Sequence, residues 1–519
     1  MDAKVACPVR MSTTAASDAL PRYTHQQIIR VITGILLCIL LAALDQTVVI
    51  PAVPTIASEM GAFGHLSWIV SAYLLTSTAA TPIYGKLSDT YGRRNLLLIG
   101  LAIFIAASAF CALSRTLTEL IAARALQGLG GAGLMAMSQA AIADVVSPRE
   151  RGRYQGYMAG AWGVASIAGP VVGGYVTQHL SWRWLFWGNL PLGVLALVLC
   201  DRGLRGLPVR GGRPQIDYWG AALLVGGVTC WLLVLSSGGT EFAWTSAPAL
   251  GLMVGGALLL LALGFAEGRA RDPILPPRLF RDRAFLGGVS IAFCVSLGLL
   301  GATFLLPLWF QLALGAAPAQ SGLLVMPFLA ASVIGAFTAG QLARYLGRTK
   351  VIVLGALSAA LAGFVILTLA GERLPMTVVL MASALVGVGI GATMPSVLVQ
   401  VQNAAERRDV GAATGCLLFL RSMGGAFGST AVGALLVVQF NAGLRALGVA
   451  HLDLGALRAG GGAAGLHGLS LGAARGAVIP GFHLAFAVCG AAVALALLIS
   501  AVMRDVQLRS SDMPRELAH

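Results

Sequence analysis

Charge is what this 519-residue chain has least of. Only 11% of its residues are Asp, Glu, Lys or Arg, 57% are hydrophobic, and the mean hydropathy is +0.83. A soluble domain carries roughly 25% charged residues. Too little polar surface remains to coat a particle in water, so the bilayer must be the solvent. Lysine is scarcer still: of 35 basic residues only Lys4, Lys86 and Lys350 are lysines. That excess of arginine is what coding in a GC-rich genome produces, and it points to a bacterium. The eight cysteines are scattered, and all but Cys7 lie in apolar runs. Without CxxC or ligand-type spacing they exclude a disulfide framework and a metal site. No signal peptide is expected: the first 30 residues are polar, and the apolar run behind them lacks a cleavage pattern. No Walker A or zinc-protease motif is present, which argues against an enzyme.

What the chain does have is apolar runs of about 20 residues without period-two alternation, the pattern of membrane-spanning helices and not of a barrel. Fourteen are read, at 31–52, 67–84, 95–113, 120–142, 154–177, 184–200, 217–236, 247–266, 284–310, 321–342, 351–370, 376–400, 410–438 and 481–503. Pro307 in the ninth should bend it or mark its end. An even count puts both termini on one side. With that side cytoplasmic, 27 of the 35 Lys and Arg fall in cytoplasmic segments and six in outer ones; Arg124 and Arg421 lie within spans. Such a bias follows the positive-inside rule. The net charge of +14 is therefore topology and not a nucleic-acid surface.

The chain also repeats itself. "GKLSDTYGRR" (85–94) recurs as "GQLARYLGRT" (340–349), a shift of 255, and "LQGLGGAGLM" (126–135) as "LVGVGIGATM" (385–394), a shift of 259. The second shift also carries Gly152, Gly156 and Gly169 onto Gly411, Gly415 and Gly428. Spans 1–6 thus map onto spans 9–14, with spans 7 and 8 inserted. The parts read as an N-tail (1–30), a first half (31–200), a linker with two extra spans (201–283), a second half (284–503) with a long outer loop (439–480), and a C-tail (504–519). Transporters are often built from such repeats, with the substrate site between the halves.

Within "ILLCILLAALDQTVVIPAVP" (35–54) one carboxylate, Asp45, sits deep in the first span. An acid there costs about 2.5–3.5 kcal/mol to insert. Burial disfavours its charge, so it is a candidate to bind and release a proton; the alternative is a structural hydrogen-bonded Asp. Arg124 stays charged and needs a partner, backbone carbonyls or water. Arg421 in span 13 is read as either a helix tie or a substrate contact. Gly85, Asp89, Gly92, Arg93 and Arg94 read as a tight charged turn, in which Asp89 and Arg93 could latch; Arg344 replaces the acid in the second copy. Gly156–Gly160 and Gly169–Gly173 are small-xxx-small pairs for close helix contact, and Pro170 can bend span 5.

Five motifs in order give a resemblance: "LDQTVVIPAVPTI" (44–56), "GKLSDTYGRR", "RALQGLG" (124–130), "AGPVVGG" (168–174) and "SWRWLFWGNLPLG" (181–193). Across nearly its whole length the chain resembles the major facilitator superfamily, in its fourteen-span drug:proton antiporter branch. The resemblance implies an all-α integral membrane fold of two six-helix halves plus two inserted central spans. It implies a proton-coupled exporter of small lipophilic, cationic drugs by alternating access, driven by the proton motive force without a cofactor. Asp45 and Arg124 would serve proton coupling, 85–94 gating, and Gly169, Pro170, Gly173 and Gly174 an antiport motif. Ala165 stands where the family pattern has Gly. On the same fold, export or import of one endogenous metabolite, or of an anionic or neutral compound, remains the alternative. The expected partners are a small-molecule substrate, protons and lipid, with no nucleic acid. A monomer in the bacterial inner membrane, both termini cytoplasmic, is expected.

Overall fold

The computed structural model describes residues 24–60, 67–205, 217–238, 242–270, 272–369, 374–446 and 471–505. Most of the N-tail, the middle of the outer loop and most of the C-tail lie outside these residues.

Long apolar segments with few breakers become long helices, because in lipid every backbone group must pair within its own segment. The first half contains α1 (His25–Val48), a 3-10 turn (Ile50–Ala52) leading into the short α2 (Val53–Met60), then α3 (Ser67–Tyr91), α4 (Arg93–Leu113), α5 (Leu117–Val145), α6 (Pro148–His179), the short α7 (Arg183–Trp187) and α8 (Asn189–Gly203). The inserted pair is α9 (Tyr218–Ser237) and α10 (Ala247–Glu267). The short α11 (Pro277–Arg281) leads into the second half. That half comprises α12 (Arg283–Leu308), α13 (Pro318–Leu346), α14 (Lys350–Thr368), α15 (Met376–Ala404), α16 (Val410–Ala446) and α17 (Leu471–Val502). Among the described residues, 13 helices are long and apolar enough to cross a membrane. α3 is 25 residues long but carries Ser and Thr repeatedly; it occupies the place of the second expected span.

Three features differ from the sequence reading. The expected turn at 85–94 is almost all helix: α3 continues through Gly85 and Asp89 to Tyr91, and α4 begins at Arg93. Gly92 alone breaks the run, at φ +86°, a conformation open to glycine and costly for other residues. The outer loop is shorter than 439–480, since α16 runs on to Ala446 and α17 begins at Leu471. Around Pro307 the helix winds into one π turn, Trp309–Ala313. Proline removes the amide that an α-helical bond would need, and the wider turn absorbs the mismatch.

Each half has its own core. Ile35, Leu97, Phe104, Leu134 and Met137 lie in the first, and Phe285, Trp309, Phe328, Phe364 and Phe482 in the second. A smaller cluster joins α9 and α10 to α3 and α16 through Ala79, Leu224, Val228, Leu263, Phe419 and Met423. The inserted pair therefore covers one seam between the halves, and Thr430 Oγ1 donates to the Leu235 carbonyl there at 2.9 Å.

The halves touch along two seams, α3 with α16 and α6 with α13. Both are tightest at the end of the bundle bearing the basic segments. A Cβ on Gly85 would lie 2.4 Å from the Gly411 carbonyl oxygen, and one on Gly340 2.1 Å from that of Gly152. Neither gap admits any side chain, so glycine is required at both. These are repeat-related pairs, each half's loop-proximal glycine against the other half's. Farther along the second seam, Gly156 meets Phe337 and Gly163 meets Val333.

Candidate functional site

Asp45 lies in the last turn of α1 and is 3% exposed; Arg124 of α5 is 1% exposed. Their side chains pair, Arg124 Nη1 donating to Asp45 Oδ2 at 2.6 Å. The other carboxylate oxygen accepts from Gln127 Nε2 at 2.9 Å and from Asn189 Nδ2 at 2.8 Å. The acid is therefore not alone in an apolar cavity, as the sequence suggested. It is held by three donors.

The network extends through four more helices. Gln127, one turn after Arg124 on the same face of α5, accepts from Arg124 at 2.6 Å and donates to Ser108 Oγ of α4 at 2.8 Å. Arg124 Nε donates to the Ile69 carbonyl of α3 at 3.1 Å. The guanidinium lies 4.6 Å from the Tyr73 ring centre and 5.8 Å from that of Phe186 in α7, both within cation–π range. Asn189 opens α8. Such a pair balances its desolvation cost only when the remaining donors and acceptors are also satisfied. The extra partners satisfy that condition here. The arrangement is a buried ion pair between α1 and α5 whose carboxylate is held on both oxygens.

At the basic end, Asp89 bridges the halves. Its oxygens accept from the Gly411 amide at 3.0 Å and the Ala412 amide at 2.8 Å, first-turn donors of α16 that have no partner within the helix. A carboxylate at a helix N-terminus meets free N–H groups and the positive end of the dipole. Arg93 Nη2 donates to the same carboxylate at 2.6 Å and Arg93 Nε to Asp144 of α5 at 2.9 Å; Ser88 also accepts from Arg93. Arg94 pairs with Asp201 at the end of α8, so it ties the first half to itself. Asp409, just before α16, pairs with Arg278 at 2.8 Å.

The span-5 motif divides. A Cβ on Gly169 would lie 2.0 Å from Thr47 Oγ1, and one on Gly173 2.2 Å from the Val48 carbonyl oxygen. These two glycines seat α6 on α1, beside Asp45. Gly160 and Gly174 have open space where a Cβ would go, so they make no close approach. Pro170 is exposed and α6 continues through it. Arg421 is half-buried in α16; it has no ion pair or hydrogen bond among the described residues, and it joins neither the Asp45 network nor the Asp89 latch.

Gln127 and Asn189 were not singled out from sequence, although both stand inside quoted motifs. The signal was available for Gln127, which is three residues from Arg124 and so shares its face.

Two helical halves, repeated in sequence, closed on each other at one end and carrying a buried ionisable pair define a membrane transporter rather than an enzyme. The chain belongs to the Major Facilitator Superfamily, whose model matches residues 35–429. It is 36% identical over 405 residues to the multidrug transporter protein MdtP of Bacillus subtilis (strain 168), covering 78% of this chain and 74% of that one. It is 31% identical over 432 residues to multidrug resistance protein 3 of the same strain, covering 82% and 81%. The solved structure of the proton:xylose symporter XylE superposes with a TM-score of 0.60 at 16% identity, covering 92% of this chain and 95% of that one. That likeness concerns the fold alone.

Proposed function

We propose that this transporter exports small lipophilic molecules across the bacterial inner membrane in exchange for protons, with both termini in the cytoplasm. The observation that carries the reading is the Asp45–Arg124 pair, buried where α1, α5 and α8 meet. The relatives named as multidrug transporters support the cargo class.

Ionised Asp45 holds Arg124, Gln127 and Asn189. A proton arriving on Asp45 removes the charge that holds Arg124, and the guanidinium must then find carbonyls or water instead. That rearrangement loosens α1 from α5 and α8, and through Gly169 and Gly173 it reaches α6. Release of the Asp89 latch would open the basic end, which faces the cytoplasm in this reading. Alternating access follows from the two halves rocking about the seams.

The resemblance implies a cationic cargo, which an unpaired Asp45 carboxylate would attract. With Arg124 beside it, that attraction exists only when the arginine is displaced. A second reading, neutral or anionic cargo, is favoured by half-buried Arg421, which has no counter-charge among the described residues. Energised cells loaded with ethidium, or with a lipophilic anion of similar size, distinguish the two. Protonophore-sensitive efflux of ethidium supports cationic cargo, and that of the anion the second reading. Efflux of either that continues unchanged with the protonophore overturns proton coupling.

A further inference from the structure

Two acids of the inserted helices meet at the basic end of the bundle, away from Asp45. Asp217 caps α9, its Oδ1 accepting the Gly220 amide at 2.8 Å. Glu267 is the last residue of α10 and is 5% exposed; its Oε1 accepts the Leu275 amide at 3.2 Å. The second oxygen of each, Asp217 Oδ2 and Glu267 Oε2, is buried and has no hydrogen-bond partner among the described residues. Both side chains press on one face of Gly220. A Cβ there would lie 2.5 Å from Asp217 Oδ2 and 3.2 Å from Glu267 Oε1.

Few charges stand nearby to offset two anions. On α3 the charged residues are Lys86 and Asp89; Asp89 faces α16, and Lys86 is already paired with Asp272 of the loop after α10. α9 has no charged residue, α10 has only Glu267, and α16 has only Arg421 and Arg445. The same loop also contributes Arg269; Arg210, Arg213 and Arg271 lie outside the described residues.

Two carboxylates packed together, Glu267 buried and Asp217 half-buried, cannot both ionise cheaply, and a buried acceptor without a donor costs about 1–3 kcal/mol. A single proton on Glu267 eases both problems, since it removes one of the two charges and turns an unpartnered acceptor into a donor. We propose that Glu267, packed beside Asp217, holds a proton at neutral pH, forming a protonation site that pins the end of α10 to the start of α9. It stands next to the Lys86–Asp272 tie to α3, so its loss loosens the inserted pair from the seam it covers. The pairing holds whether or not Asp45 drives transport.

The test is infrared spectroscopy of the full chain in lipid, in the C=O stretch of protonated carboxyl groups, with Glu267→Gln and Asp217→Asn as variants. Asn keeps the cap of α9 and Gln keeps a donor, so both preserve the local hydrogen bonds. The expected result is a protonated carboxyl at neutral pH in the wild type, fading as pH rises, with one carboxyl per chain lost in either variant. Identical spectra in all three proteins overturn the proposal, because both acids would then be ionised and matched by arginine. Thermal unfolding against pH gives a second reading. The folded pair binds a proton that the unfolded chain releases at neutral pH, so stability falls as pH rises through the folded pair's titration. That fall should be present in the wild type and absent from Glu267→Gln; equal profiles contradict the bound proton.

Discussion

The two halves share a glycine framework and differ in chemistry. The shift of 259 that aligns the repeat places Ser383 where the first half has Arg124, and Val386 where it has Gln127. Ser383 is buried but bonds only within its own helix, to the Leu380 carbonyl at 2.8 Å. The region matching Asp45, around 300–304, holds no acid. The second half fills its interior with Trp309, Phe328, Phe364 and Phe482. The seams differ likewise. α3 meets α16 through glycines and through Asp89, whereas α13 presents Arg344 at the equivalent position and meets α6 through Gly152–Gly340, Phe337 and Val333. An acid suits a helix N-terminus and an arginine does not. One seam is thus joined by a carboxylate on backbone amides, and the other by glycine and side-chain packing. The halves share a scaffold, and among the described residues the Asp45–Arg124 pair belongs to the first half.

The largest break of that comparison is Arg124→Ala beside Ser383→Ala. Removing Arg124 strands a buried carboxylate and should cost about 3–5 kcal/mol. Ser383→Ala should cost about 1 kcal/mol or less. Thermal unfolding of the purified proteins reads both, and equal losses would erase the distinction between the halves. Next is the latch. Asp89→Asn loses charge-assisted bonds to Arg93 and to two α16 amides, and should weaken the closed basic end by about 3 kcal/mol. Spin labels at Tyr91 and Arg408 should report a longer distance in that variant.

Gly340→Ala would drive a methyl into the Gly152 carbonyl and should cost about 1–3 kcal/mol of closure. Gly169→Ala and Gly173→Ala should lower transport by pushing α6 off α1 at Thr47 and Val48. The smallest effects are Gly160→Ala and Gly174→Ala, which meet open space and should stay within about 0.5 kcal/mol. A strong defect at either one would mean that the closed arrangement omits a contact made elsewhere in the cycle.

Much of the fold was legible because lipid leaves the chain few choices. Runs of about 20 apolar residues had to be helices, and the repeat related spans 1–6 to spans 9–14. What escaped lies where hydropathy stops informing. The α3 helix persists past Gly85 to Tyr91 although its sequence turns polar, since Asp89 and its neighbours are held by the other half rather than by lipid. In the site, Asp45 and Arg124 stood out as charges where none belonged. Gln127 and Asn189 did not, because an uncharged amide in a span raises no alarm until its partner is known. Spacing put Gly169 and Gly173 on one face. It could not say that α1 lies against that face, or that Gly160 and Gly174 face nothing.

The measurement that bears most directly on the account uses the purified full chain in liposomes with an imposed proton gradient. Uphill accumulation of a transported solute is compared with simple exchange at equal concentrations, for wild type and Asp45→Asn. The account predicts that the wild type does both, while Asp45→Asn still exchanges but no longer accumulates, because the binding surface remains and the proton carrier does not. Uphill accumulation by Asp45→Asn at the wild-type rate would contradict it.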